Sequence, residues 1–240
     1  MAELNGGAAV TSAIILAGGE GTRLRSVVPH LPKPMAPVNN RPFLEHQIDY
    51  WIDQGIHHFT LSVGYRREVI MAHFGATYRG AQIDYAVEET PLGTGGALML
   101  AVKQIDDRRP FLLLNGDTYF EVKLTELADF HAKRQSDFTF SLFATGDTER
   151  YMGMEQQLDG RITQLRSRSG GFANGGVYLV NPHILQILAW HPGSKLSLED
   201  DIMPMLLMRG ARLFGHNSNG RFIDIGVPED YLRSDTILAS

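Results

Sequence analysis

The sequence predicts a single α/β domain with a mixed, mainly parallel central sheet flanked by helices. Three observations carry that expectation. Short apolar runs alternate with helix-period segments through the first half. A glycine-rich break follows the first apolar run at once, and the second half changes to short strands joined by Gly/Asp turns.

The elements follow in order. Ala13 to Ala17 reads as a buried strand, broken by Gly18-Gly19-Glu20-Gly21. Phe43 to Gln54 has apolar residues at Phe43, Leu44, Ile48, Trp51 and Ile52, a helical spacing closed by Gly55. His58 to Val63 is a second strand, Arg66 to Phe74 a short helix, and Gln82 to Val87 a third strand. A Gly-rich loop leads into a helix from about Gly95 to Val102, and Phe111 to Leu114 is a strand ending in Asn115-Gly116-Asp117. Strands are expected at Phe138 to Phe143, Tyr151 to Gln156, Ile162 to Leu165, Val177 to Val180 and Arg221 to Ile225. A weak helical pattern follows Pro182, and Glu199 to Met208 and Pro228 to Ile237 read as helices. No repeat or long linker divides the chain. One domain over 12–240 is expected, with residues 1–11, small and polar, as a disordered tail.

Composition narrows the function. With 240 residues and 43% hydrophobic content the chain can bury one sizeable core. A net charge of −5 argues against nucleic acid or an anionic membrane as main partner, so phosphate-binding cations should be local and few. The absence of cysteine excludes disulfides, thiolate catalysis and Cys-based metal sites. No apolar run approaches the roughly 20 residues that span a bilayer, and no secretory leader is evident. The expectation is a soluble cytoplasmic protein.

Most information lies in Leu16-Ala17-Gly18-Gly19-Glu20-Gly21-Thr22-Arg23-Leu24. Glycines after a buried strand let the chain turn sharply and present N–H groups with no Cβ in the way, which suits a triphosphate. The Walker pattern fails, since Gly-Thr-Arg stands where Gly-Lys-Ser/Thr is needed. The dinucleotide fingerprint fails because Leu24 occupies its third glycine position. A plain strand-to-helix turn would explain the glycines alone. Arg23 and Arg25 follow them, however, and Lys33 is braced between Pro32 and Pro34 on a stiff segment.

On these residues the chain resembles the sugar-1-phosphate nucleotidyltransferase family, whose leading motif matches Gly18 to Leu24 followed by Pro32-Lys33-Pro34. The resemblance runs from Ser12 onward and implies a Rossmann-like nucleotidyltransferase domain with GTP or another nucleoside triphosphate and a sugar 1-phosphate as substrates. It implies that Leu16, Ala17, Gly18, Gly19, Gly21 and Thr22 cradle the triphosphate. Arg23 would face the departing pyrophosphate, and Lys33 the α-phosphate. Glu88-Glu89-Thr90-Pro91-Leu92-Gly93-Thr94-Gly95-Gly96-Ala97 is similar to the family's base-binding loop, which assigns Glu88, Pro91, Gly93 and Thr94 to the nucleotide. Asp117 becomes a catalytic metal ligand and Asp224, in Phe222 to Pro228, a second, both for Mg²⁺. Asn115, Gly116, Gly153, Arg168, Asn174 and Gly175 fall on sugar-contacting segments.

One departure stands out. Where the family commonly has a Glu-Lys pair on the sugar and its phosphate, this chain has Ser167 and Arg168. Arg168 retains a cation. The missing carboxylate implies an altered sugar, or contacts from Glu199 or Asp200. The opening block, with Arg41-Pro42-Phe43-Leu44-Glu45, is similar to bacterial D-glycero-α-D-manno-heptose-1-phosphate guanylyltransferases. That implies GTP as donor, GDP-heptose as product and a role in capsule or lipopolysaccharide synthesis. Mannose- or glucose-1-phosphate enzymes with another base, a non-catalytic regulatory subunit and a nicotinamide oxidoreductase are the rival readings. None of the nine histidines has metal spacing on a helix. A homodimer is the working guess for assembly.

Overall fold

Strand β1 (Ser12–Leu16) is wholly apolar from Ala13 to Ile15 because both of its faces and both of its edges are covered. A strand in that position has no solvent side, so it reads as a run and not an alternation. The computed structural model describes residues 10–24, 26–105, 109–147, 150–169, 171–188 and 190–239.

A minor hairpin of β2 (Pro37–Val38) and β3 (Arg41–Pro42) leads to helix α1 (Phe43–Ile52). Then come β4 (His58–Val63), α2 (Arg67–Phe74), β5 (Thr77–Tyr78), β6 (Ala81–Val87), α3 (Gly93–Ala101) and β7 (Phe111–Asn115). Next are β8 (Thr118–Phe120), α4 (Leu124–Arg134), β9 (Phe138–Ala144), β10 (Gly153–Gln156), β11 (Ile162–Leu165) and β12 (Phe172–Val180). The chain closes with α5 (His183–Gln186), α6 (Met203–Met208), β13 (Leu213–Asn217), β14 (Phe222–Asp224) and α7 (Pro228–Ile237).

The main sheet runs β11-β10-β12-β7-β1-β4-β6-β5, with β9 on the second edge of β12 and β13 beside β9. β7, β1, β4 and β6 are parallel, with Ile14 in register with Thr60 and Leu113. The chain leaves β1 toward β4 and β6, then returns to β7 on the other side of β1. Between β1 and β7 lies the topological switch point, where open α/β sheets bind ligands at the carboxyl ends of their strands.

Alternate side chains enter two apolar layers. Ala13, Ile15, Leu112 and Leu114 pack with Leu44, Ile48 and Trp51 of α1, Ile70 and Phe74 of α2, and Leu124 and Leu127 of α4. Ile14, Phe111 and Leu113 pack with Leu98 of α3 and with Met203 and Leu206 of α6. A third cluster joins Leu24, Val28 and Phe43 to Tyr119, Ile223 and Ile225, fastening the loop after β1 to the small β8–β14 sheet.

Several expectations change. Val10 and Thr11 are not tail: Val10 is buried, and the Thr11 carbonyl accepts from the N–H groups of His57 and His58. Residues 1–9 and Arg25 lie outside the described residues. The segment from Glu199 opens as a wide turn, Leu198–Ile202, before α6. β12 starts at Phe172, and α4, β8 and β13 are additions. Among the described residues no helix is long and apolar enough to cross a membrane.

Candidate active site

The carboxyl ends of β1, β4, β6 and β7 surround a cavity of about 820 Å³. The loop after β1 supplies Leu16, Ala17, Gly18, Gly19, Gly21, Thr22 and Arg23; the loop after β6 supplies Glu88, Pro91, Gly93 and Thr94; the turn after β7 supplies Asn115, Gly116 and Asp117; and Lys33 closes one side. All of these are sequence-predicted site residues, and the fold brings them to one place.

Close backbone approach explains the glycines. A side chain at Gly18 would run into Glu88 Oε1, and a Cβ at Gly116 would lie 2.5 Å from the Leu16 carbonyl oxygen. Gly21 has φ +58° and sits against Lys33, so it satisfies a left-handed turn as well as a steric limit. The turn after β7 is pinned from below. Gln47, buried on α1, donates its amide to the carbonyls of both Asn115 and Thr118 at 2.8 Å.

The charged groups converge beside Gly226. Lys33 Nζ lies 2.5 Å from Asp117 Oδ2. β14 pairs antiparallel with β8, placing Asp224 opposite Thr118, and Ile225 N–H donates to the Asp117 carbonyl at 2.9 Å. Gly226 N–H donates to Asp224 Oδ1 at 2.6 Å, and a Cβ on Gly226 would be 3.0 Å from Lys33 Nζ. Burial pushes the Asp224 carboxyl above its ordinary range and the charge of Asp117 pushes it further, while Lys33, the Gly226 N–H and Arg23 pull it back. Asp224 itself sits just behind the cavity wall that Gly226 forms.

This geometry fits a hard divalent cation. The donors are two carboxylates whose mutual repulsion favours a positive charge, and a lysine ammonium already stands against one of them. Among the described residues no group of three or more His, Cys, Asp or Glu gathers as a metal cluster. Two carboxylates completed by phosphate oxygens and water suit Mg²⁺, which prefers oxygen ligands and keeps several waters.

Some expected roles shift. Glu88 lines the cavity, but its carboxylate is committed to Leu92 N–H (3.0 Å) and to the Ser62 hydroxyl (3.3 Å). The Thr94 hydroxyl donates to Glu199 Oε2 and accepts from Leu198 N–H, both at 2.8 Å. Gly153, Arg168, Asn174 and Gly175 are not among the cavity-lining residues. Gly153 is paired in the sheet with Ala173, and Gly175 lies close against Phe120. Asn174 donates to the Tyr178 hydroxyl and accepts from Gly176 N–H, holding the bulge of β12. Arg168 is exposed on the loop after β11. Asp200 pairs with Arg166.

Cavity residues that the motifs do not reveal are Gly64, Tyr65 and Arg67 after β4, and Lys195 before α6, where Glu199, expected only as a substitute sugar contact, also lines the cavity. Arg67 pairs with Glu89 at 3.0 Å, whereas Lys195 has no ionic partner among the described residues. The signal for the first three was the carboxyl end of a parallel strand. For Lys195 it was a charged stretch following a Pro-Gly turn.

Fold and cavity define the class: an open-sheet α/β protein with a glycine-lined ligand site, carrying both cations and carboxylates, at its switch point. Residues 12–240 match the model of the nucleotidyl transferase family, and the chain belongs to that family. It is 40% identical over 225 residues to D-glycero-alpha-D-manno-heptose 1-phosphate guanylyltransferase of Aneurinibacillus thermoaerophilus, covering 92% of this chain and 96% of the relative. The enzyme of the same name from Campylobacter jejuni is 38% identical over 222 residues, covering 91% and 96%. Among solved structures, HddC from Yersinia pseudotuberculosis, also solved complexed with GMP-PN, superposes with a TM-score of 0.82 at 31% identity, covering 95% of this chain and 99% of that one.

Proposed function

We propose that this chain transfers a guanylyl group from GTP to D-glycero-α-D-manno-heptose 1-phosphate, giving GDP-heptose and pyrophosphate in the cytoplasm for surface-glycan synthesis. The observation that carries the reading is near full-length similarity to two enzymes of that name, on a chain whose loop and aspartates converge.

The step needs little covalent help from the protein. A phosphate monoester is largely ionised near neutral pH, its second pKa being about 6, so no side chain has to remove a proton from the nucleophile. An oxygen of the sugar phosphate forms a bond to the α-phosphorus of GTP while the bond to the β-phosphate oxygen breaks, and pyrophosphate takes that electron pair. The obstacle is the approach of one polyanion to another, so positioning and charge stabilisation supply the rate.

Each group of residues takes a share of this. N–H groups around Gly18, Gly19 and Gly21 hold the triphosphate, and Arg23 stabilises the charge that grows on the leaving group. Lys33, oriented by its ion pair with Asp117, meets the α-phosphate. Lys195 adds positive charge from the wall built on α3. The loop from Glu88 to Thr94 frames the base, with the Glu88 carboxylate holding the loop's shape. Asp117 and Asp224 would hold Mg²⁺, which when bound supplies charge neutralisation and a template for phosphate oxygens.

The test is a matrix of nucleoside triphosphates against sugar 1-phosphates, with pyrophosphate release measured with and without EDTA. The reading expects the highest kcat/KM for GTP with the heptose 1-phosphate and loss of activity in EDTA. Preference for another base or for a hexose phosphate would replace it.

A further inference from the structure

The glutamate that the resemblance expects on the sugar is missing from this chain. Ser167, standing where the resemblance expects a glutamate, is 1% exposed and is not among the cavity-lining residues. Its hydroxyl donates to Glu155 Oε1 at 2.5 Å, and Ser169 shares the same acceptor. Sugars are distinguished by the positions of their hydroxyls, and a site built to hydrogen-bond a hydroxyl rejects an analogue without it strongly. Some other carboxylate or amide must therefore read them.

We propose that Glu199 is that residue: its carboxylate accepts hydrogen bonds from hydroxyls of the sugar ring and sets the enzyme's preference among sugar 1-phosphates. This deepens the guanylyltransferase reading and rests on it. Other carboxylates lining the cavity have different partners. Glu88 is bound to Leu92 and Ser62, Glu89 to Arg67, and Asp117 to Lys33. Glu20 belongs to the phosphate loop.

Glu199 differs in how it is held. The Thr94 hydroxyl donates to Oε2 at 2.8 Å, while Oε1 accepts nothing among the described residues. One oxygen is thereby anchored and the other left for a ligand. The backbone under it is fixed as well. Leu196 accepts from Gly95 and Gly96 N–H and donates to the Leu92 carbonyl, strapping the segment to the start of α3.

Glu199 lines the same cavity as Lys33 and Asp117. The buried Tyr178 phenol, raised chiefly by burial, feels the charge of Glu199 and, more weakly, that of Asp117, and it bonds Asn174. A carboxylate there would accept charge-assisted hydrogen bonds from neighbouring ring hydroxyls, which are about twice as strong as neutral ones.

The experiment compares wild type with Glu199→Gln and Glu199→Ala, using D-glycero-α-D-manno-heptose 1-phosphate and its single-deoxy analogues in steady-state pyrophosphate release. Glu199→Gln keeps an acceptor for Thr94, and thermal unfolding checks that it folds as wild type does. The expected result is a rise of about tenfold or more in KM for the sugar phosphate, with KM for GTP unchanged. Wild type should discriminate against one deoxy analogue, and Glu199→Ala should lose that discrimination. An unchanged sugar KM, or equal losses for sugar and GTP, overturns the proposal.

Absence of pyrophosphate release by wild type would instead overturn the broader reading. Calorimetric titration of the heptose 1-phosphate into wild type and Glu199→Gln then decides the proposal separately. Weaker binding by the variant supports it; equal binding, or none by wild type, overturns it.

Discussion

Ile225 N–H donates to the carbonyl of Asp117, and this bond, continuing the β8–β14 pairing, sets the carboxylate of Asp224 beside that of Asp117. The two residues are far apart in sequence, one after a central strand near the middle of the chain and one just before the last helix. Their closeness has a cost in the free protein. Asp224 is buried next to a like charge, and both effects oppose its ionisation.

Asp224→Asn should therefore separate stability from function. The amide keeps an oxygen to accept from Gly226 N–H and removes the repulsion. The variant should melt a few degrees higher at neutral pH, since about 1 kcal/mol moves Tm by roughly 2–4 °C in a chain of this size. Pyrophosphate release should fall by about 100-fold or more, the scale of losing one electrostatic group at a phosphoryl centre. Calorimetric melting beside the turnover assay reads both. A variant that melts lower and keeps its turnover would remove Asp224 from the site.

Arg23→Ala should act on turnover alone. Arg23 lines the cavity on a loop whose packing is supplied by Leu24 and Val28, not by the guanidinium. Loss of a group that stabilises leaving-group charge lowers kcat by about 10²–10³. Tm should stay within error of wild type, and KM for the sugar phosphate should change little. A large fall in Tm with modest loss of kcat would assign Arg23 to the fold.

Much of this arrangement is legible in the sequence, for physical reasons that vary by element. β1 and β7 are apolar runs because both faces of the sheet are covered there, and the glycine motifs follow them because the loops pack backbone to backbone. Helix α4 is hard to read because its buried stripe is Leu124, Leu127 and His131, with a polar residue at the third position. β13 contains Gly215 and His216 and owes its form to parallel pairing with β9, a tertiary cause with no local signature. Gly175 and Gly176 look like a turn, yet they form a bulge within β12, where Gly176 has φ +72°. The site was readable where motifs are local. Gln47 reaches it from a distant helix with no local mark, Lys195 is marked only by the Pro-Gly turn before it, and Glu199 was expected only as a substitute for the missing glutamate.

Gly116→Ala tests the close approach between β7 and β1. The added methyl would lie 2.5 Å from the Leu16 carbonyl oxygen and 3.1 Å from Ala17 Cα, both backbone atoms that cannot rotate away. Strain of this kind costs about 1–3 kcal/mol. Because Asp117 is the next residue, the shift should also lower kcat, so urea unfolding and turnover should both register the change. A variant with wild-type stability would mean that the two loops are further apart than the structure places them.

His131 should make stability fall as the solution is acidified. Its ring is buried on α4, with Nδ1 against the Thr139 hydroxyl at 2.8 Å and Nε2 within hydrogen-bond distance of no partner among the described residues. Burial lowers its pKa from 6.5 to about 4. Between those values the unfolded chain binds a proton that the folded chain refuses, so stability is fully present above pH 6.5 and is lost as pH falls toward 4. The full difference corresponds to about 3 kcal/mol, taking 1.36 kcal/mol per unit. His131→Gln removes the titration while keeping a hydrogen-bonding group for Thr139. Its Tm should vary less than that of wild type between pH 6.5 and 4, even if it melts lower at pH 7. Parallel profiles for the two proteins would show that the acid sensitivity comes from other groups, with the paired carboxylates Asp49, Glu121 and Asp137 next in line, since each is held below its ordinary range by an arginine.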